Sequence, residues 1–138
     1  MKKAIELIKE FEAFHSEAYR CPAGVWTIGW GHTQGVKRGM QITEEEAEKL
    51  LREDMREAER VVKKLGVELN SNQYNALVSF VFNVGERAFA KSTLRAKILV
   101  NLNDKSIYSE FLQWVYANGV EYKGLKRRRK KEAELYFS

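Results

Sequence analysis

Residues 73–85, QYNALVSFVFNVG, form a stretch that is apolar nearly all the way round a helix. Such a helix has no face to turn toward water, so it must lie at a centre with other elements packed about it. A chain of 138 residues has room for one such centre, and a hydrophobic fraction of 44% is enough to cover it. The expected fold is therefore organised around a helical lobe with residues 73–85 inside.

The flanking segments are one-sided. On a wheel of 100° per residue, Ala4, Ile5, Leu7, Ile8, Phe11 and Phe14 share a face of a helix over residues 2–14. Glu12 falls between Ile5 and Ile8 at the edge of that stripe, whereas Glu6 and Glu10 point the other way. Residues 44–65 repeat apolar side chains every three or four positions, from Ala47 to Leu65, and Gly66 ends the run. Thr43 and Glu46 have the spacing of a capping box, and Glu44, Glu45, Lys63 and Lys64 complement the helix dipole. Between these helices, Gly24, Gly29, Gly31, Gly35 and Gly39 alternate with Val, Trp, Thr and Ile, which predicts a short twisted hairpin or three-stranded sheet over residues 24–40. Further helices are expected near 92–101, 105–118 and 124–137, divided by Asn101–Asp104 and Asn118-Gly119. The fold class is thus α+β and mostly helical. A small lobe with a β-hairpin is joined by a long helix to an all-helical lobe, with a cleft between them.

Composition limits the function classes. The single cysteine excludes an intramolecular disulfide and suits a reducing compartment. Glu6, Lys9 and Glu10 interrupt the N-terminal apolar residues, so neither a signal peptide nor a membrane span is expected there. Residues 87–138 carry 12 Lys and Arg against 5 Asp and Glu, while residues 1–86 carry 12 against 14. Six consecutive basic residues, Lys126–Lys131, must circle their helix. Such a run favours an anionic partner: cell-wall or outer-membrane polymers, or nucleic acid. No DNA-reading motif or aromatic interleaving accompanies it, so no nucleic-acid partner is expected. A cationic wall- or membrane-active antibacterial protein, acting through this helix, is the alternative to an enzyme.

The candidate chemistry lies between residues 12 and 33. A carboxyl against apolar neighbours keeps its proton and can donate it to a leaving oxygen, and the wheel puts Glu12 in that position. Glycoside hydrolysis pairs such an acid with a second carboxylate. The only aspartates, Asp54 and Asp104, are remote from the hairpin in sequence. Taken alone, Cys21 reads as a buried thiol and Thr27 as a strand former. His32 reads either as an anchor for the hairpin beside Glu12 or as a site residue. Trp26, Trp30 and Trp114 read as core or as platforms for a sugar ring, with Trp30 the best placed for substrate. Two histidines and one cysteine at no recognisable spacing give no zinc signal, and no cofactor is expected.

The pattern Glu12, eight residues, Cys21, five residues, Thr27 is similar to that of the phage-type lysozymes (endolysins) of glycoside hydrolase family 24, in the variant with Cys at the middle catalytic position. TIGWGHT (residues 27–33) resembles the strand and turn of that family. The likeness continues through QYNAL (73–77), FVFNVG (80–85), STL (92–94) and Gly124-Leu125 leading to Arg128, Arg129 and Glu132. The resemblance implies a single lysozyme-like domain over 1–138, with an N-terminal lobe at about 12–60 and a helical lobe at about 66–138 on which the N-terminal helix packs. It implies hydrolysis of the β-1,4 bond between N-acetylmuramic acid and N-acetylglucosamine in peptidoglycan, causing lysis of a bacterial host. Glu12 would be the general acid, with Cys21 and Thr27 catalytic beside it. Trp30, His32 and Arg128 would be substrate-binding residues, Arg128 either paired with a carboxylate or touching peptide stems. A monomer, made in the host cytoplasm and released to the wall by a holin, completes the expectation.

Overall fold

The computed structural model describes residues 2–138. In chain order the elements are α1 (Lys2–Glu12), β1 (His15–Arg20), β2 (Trp26–Gly29), α2 (Glu44–Lys63), α3 (Ser71–Val84), α4 (Glu86–Ala90), α5 (Thr93–Val100), α6 (Ile107–Phe111), β3 (Tyr116–Ala117), β4 (Val120–Glu121) and α7 (Lys123–Tyr136). The architecture is α+β and mostly helical, as the residue pattern predicts.

The central element is α3. Its middle, from Ala76 to Val81, is buried on every side, and α1, α2 and α7 pack against it. Phe80 stands edge-on to Phe89, Phe111 and Trp114, which ties α4 and α6 into the same core. Burying one such ring contributes about 1.5–3 kcal/mol, so this cluster dominates the packing energy of the helical layer. Both ends of α3 are determined locally. Asn70 caps its first turn, with Gln73 bonding back to the Asn70 N–H, and Gly85 takes φ 91° at its end. α2 begins with the predicted Thr43–Glu46 capping box and presents Leu51, Met55, Ala58 and Val62 to the core.

The small layer begins earlier than the glycine pattern suggests. α1 stops at Glu12 because Ala13 adopts φ 54°, turning the chain directly into β1. β1 pairs antiparallel with β2, with Tyr19 opposite Thr27 and Arg20 opposite Trp26. Residues 40–42 run along the other edge of β1 through Ala18 N–H to Met40 O and Ile42 N–H to Ser16 O, both at 2.9 Å. His15 opens β1 and stacks on Tyr19.

One expected helix is cut short. Residues 105–118 were predicted as helical, but α6 ends at Phe111 and a hairpin follows, with Ala117 opposite Val120. Asn118 and Gly119 have φ of 53° and 76°. Two successive positive φ angles define the tight turn that Asn-Gly favours, and that turn draws its neighbours into strands. The lobe expected to be all-helical therefore carries its own small hairpin. The short helix α4 was not anticipated either. Among the described residues, no helix is long and apolar enough to cross a membrane.

Candidate active site

Glu12 ends α1, and β1 leads straight from it, so its carboxyl faces the first hairpin and α7 together. One oxygen, Oε1, accepts a hydrogen bond from Arg128 Nη1 at 2.8 Å. The other, Oε2, lies over the backbone of Gly31: a Cβ placed there would stand 2.6 Å from it. Gly31 has φ +78°, so the turn needs glycine for both its conformation and the space it leaves. This corrects the wheel reading. The nearest partners of the carboxyl are a guanidinium and a bare backbone, because the end of α1 turns Glu12 toward α7 and the Gly31 turn.

Arg128 is almost wholly buried, and every face of its guanidinium is occupied. Nε donates to Glu132 Oε2 at 3.3 Å and Nη2 to the Ser79 carbonyl at 3.2 Å. Glu132 is buried too, and its Oε2 also accepts from Ser79 Oγ at 2.6 Å and from Arg129 Nη2 at 3.0 Å. Arg129 Nε stands 2.6 Å from Glu132 Oε1 but too obliquely to make a hydrogen bond. Its guanidinium lies over the Phe80 ring, 4.9 Å from the centroid. Burial pushes the Arg129 guanidinium below its ordinary range, a pull that Glu132 opposes.

Cys21 lines the same cavity as Glu12, and Thr27, buried in β2, stands beside Cys21. The Cys21 thiol is lowered overall: burial raises it, but hydrogen bonds from Val25 and Ala23 backbone and from Thr27 outweigh that. Thr27 Oγ1 also lies 2.9 Å from Val25 O, to which it donates. Tyr19 stands between, its phenol raised by burial and then by the charges of Glu12 and Cys21. Glu12, Tyr19 and Cys21 line one cavity of about 440 Å³, with Pro22, Tyr122 and Arg127 at its margins. A second cavity of about 540 Å³ runs from Gly31 and Thr33 to Asp54, Phe82 and Glu86. Gly31 lines one cavity and Glu12 the other, and the two residues are in contact.

Three sequence expectations change. Trp30 is 6% exposed, packed in the core under Phe14 and the Lys9 ammonium, so it offers no ring face to a sugar. Its position two residues from Ile28 sends it inward on the buried side of the hairpin. Asp54, set aside as remote in sequence, lies beside the hairpin: His32 Nδ1 and Asp54 Oδ2 are 2.8 Å apart, and this pair fixes the turn that carries Gly31. Burial raises the Asp54 carboxyl even though His32 pulls it down. His32 is thus an anchor, one turn of α2 holding one turn of hairpin. The third change concerns Lys126–Lys131. Arg128 and Arg129 point into the core, Lys126 pairs with Glu121, and Lys131 pairs with Glu10 at 2.7 Å. The run is divided between core and surface, and Arg127 rests against the Phe11 ring.

Reading the sequence did not identify Ser79, Tyr19 or Glu132 as site neighbours. The i, i+3 and i, i+4 spacings of Arg129 and Arg128 to Glu132 were the available signal. Among the described residues, no group of His, Cys, Asp and Glu is arranged to hold a metal ion.

Comparison with known proteins gives the same answer along the whole chain. The endolysin of Acyrthosiphon pisum secondary endosymbiont phage 1 is 42% identical over 143 aligned positions, covering 99% of this chain and 97% of that protein. Among solved structures, the endolysin from Escherichia coli O157:H7 phage FAHEc1 superposes with a TM-score of 0.89 at 35% identity, over 100% of this chain and 92% of that one. The muramidase domain of SpmX from Asticaccaulis excentricus does so with a TM-score of 0.87 at 35% identity, over 100% and 97%. The family model described as phage lysozyme matches residues 9–132. Superposable folds and a family match spanning nearly every element lead to one conclusion: the chain belongs to the phage lysozyme family.

Proposed function

We propose that this protein is a muramidase of the endolysin type, hydrolysing the β-1,4 bond between N-acetylmuramic acid and N-acetylglucosamine in bacterial peptidoglycan, with Glu12 as general acid. The observation that carries this reading is the Glu12 carboxyl held between Arg128 and the Gly31 turn, lining one cavity while Gly31 lines the other. In this reading the glycan strand lies across both cavities and passes the carboxyl, as cleavage within a strand requires. Arg128 fixes Oε1, so Oε2 is the oxygen free to carry and deliver a proton.

Glu12 passes its proton to the glycosidic oxygen as the bond to the anomeric carbon breaks. A water adds to that carbon and gives up its proton to the Cys21 sulfur in its thiolate form, the form that the lowering of this thiol favours. Thr27 Oγ1, its own proton directed to Val25 O, presents lone pairs that orient the water. Tyr19, with its phenol held protonated, is a hydrogen-bond donor beside both acids. In this reading Arg128 positions Glu12 and His32 positions the turn. Arg127 and Lys130 are left as surface cations through which the helix docks to anionic wall or outer-membrane polymers.

Glu12→Gln keeps the shape and removes the transferable proton. The expected result is a fall of about 10²–10⁴-fold in clearing of purified peptidoglycan with an unchanged melting curve. Mass spectrometry of the wild-type digest should find reducing-end N-acetylmuramic acid. Undiminished clearing by the variant would end the assignment of Glu12, and an anhydro product would replace hydrolysis with transglycosylation.

A further inference from the structure

Behind Glu12 lies a row of alternating charges that the chemistry above does not use. It runs inward from the cavity as Glu12, Arg128, Glu132, Arg129, and all but Glu12 are buried. Two acids face two guanidiniums, so the row is neutral when Glu12 is ionised and one charge positive when Glu12 carries its proton. A buried pair of this kind is a poor source of stability, since desolvation offsets most of the attraction, and its retention asks for another explanation.

The explanation lies in what Glu12 needs. A general acid must hold a proton until the substrate takes it, yet a bare guanidinium at 2.8 Å favours the ionised carboxylate. Arg128 is not bare. Its Nε is bonded to Glu132 and its Nη2 to Ser79, and Ser79 Oγ at 2.6 Å locks Glu132 in turn. Part of the Arg128 charge is spent inward, and the fork is fixed in orientation as well. Arg129 works against this by drawing on Glu132 from the far side.

Resting on the reading of Glu12 as general acid, we infer that Glu132 is a positioning residue for the reaction: acting through Arg128, it aims the Glu12 carboxyl and offsets the cation beside it. The groups facing Glu12 are Arg128 from α7 and Tyr19 and Cys21 from the hairpin side, with Arg129 acting from behind. Those facing Glu132 are Arg128 and Arg129 on its own helix and Ser79 from α3.

The proposal predicts a pattern of signs. Measure kcat/KM against pH on purified peptidoglycan, each variant at a temperature where its melting curve shows it folded. Glu132→Gln leaves the row one charge more positive, so the alkaline limb, where the acid loses its proton, should move about one unit toward lower pH. Arg129→Gln leaves it one charge more negative and should move the limb toward higher pH. Ser79→Ala changes no charge and should lower kcat with the limb in place. Damage to packing alone would slow all three without opposite displacements. The inference is overturned if Glu132→Gln and Arg129→Gln leave the limb unmoved or move it the same way. Should Glu132→Gln fail to fold, Arg129→Gln against Ser79→Ala decides: the inference holds only if the limb of the first lies at higher pH than that of the second. The two readings fail differently. An active Glu12→Gln removes the general acid itself, whereas an inactive Glu12→Gln together with an unmoved limb in Glu132→Gln and Arg129→Gln removes only the role of Glu132.

Discussion

Gly31→Ala probes the closest contact in the site. The added methyl would stand 2.6 Å from Glu12 Oε2 and 3.0 Å from its Cδ, nearer than real side chains approach. Glu12 cannot simply withdraw, because Arg128 holds its other oxygen at 2.8 Å. Retreat by about 1 Å takes Oε1 beyond hydrogen-bonding distance, and a displacement of that size at a catalytic group costs about 10²-fold in rate. That is about 2.7 kcal/mol of transition-state stabilisation. A second cost falls on stability. Alanine at φ +78° is disfavoured by about 1–2 kcal/mol, partly offset because alanine stiffens the unfolded chain by about 0.4–1 kcal/mol. Gly35→Ala separates the two effects, since Gly35 has φ +72° but open space where its Cβ would go. Both variants should lose about 1 kcal/mol in denaturant unfolding. Only Gly31→Ala should lose clearing of purified peptidoglycan. Wild-type turnover by folded Gly31→Ala, or an equal loss in Gly35→Ala, would refute the argument that Glu12 is pinned between Arg128 and the turn.

Other consequences follow from single residues. The Cys21 thiol lies below its ordinary range, so its alkylation rate should rise with pH to a midpoint lower than that of the urea-unfolded chain; equal midpoints would remove the thiolate from the proposed chemistry. Tyr136 is pushed up to about 12 by burial, its hydroxyl donating to Leu102 O at 2.6 Å. A phenol raised on folding gives stability that is complete below pH about 10 and lost as pH climbs through about 12. Wild type should therefore lose about 2 kcal/mol over that interval relative to Tyr136→Phe, and parallel curves would contradict this. Thr43→Ala removes the capping box of α2 and should cost about 1 kcal/mol in denaturant unfolding, with clearing activity retained.

Much of the fold was legible because it rests on local rules. The all-round apolar run at 73–85 had to become the central helix, and the Thr43–Glu46 spacing had to start α2. The hairpin at 116–121 was also written locally, in Asn118-Gly119, but the apolar spacing around it resembled a helix and the turn chemistry prevailed. Glu12, Cys21 and Thr27 could be singled out together because they lie within 16 consecutive residues; the fold puts Cys21 on the same cavity as Glu12 and Thr27 beside Cys21.

By itself the sequence determined the elements and the short-range site: periodicity, caps and turns act over a few residues and need no partner. Only the tertiary structure decided what surrounds Glu12. Arg128 is 116 positions away in sequence and Asp54 lies 22 beyond His32. Nothing in the spacing of a basic run says which two of its six cations will turn inward. That depends on α7 packing against α3 and α1, where only a buried carboxylate makes burial of a guanidinium affordable.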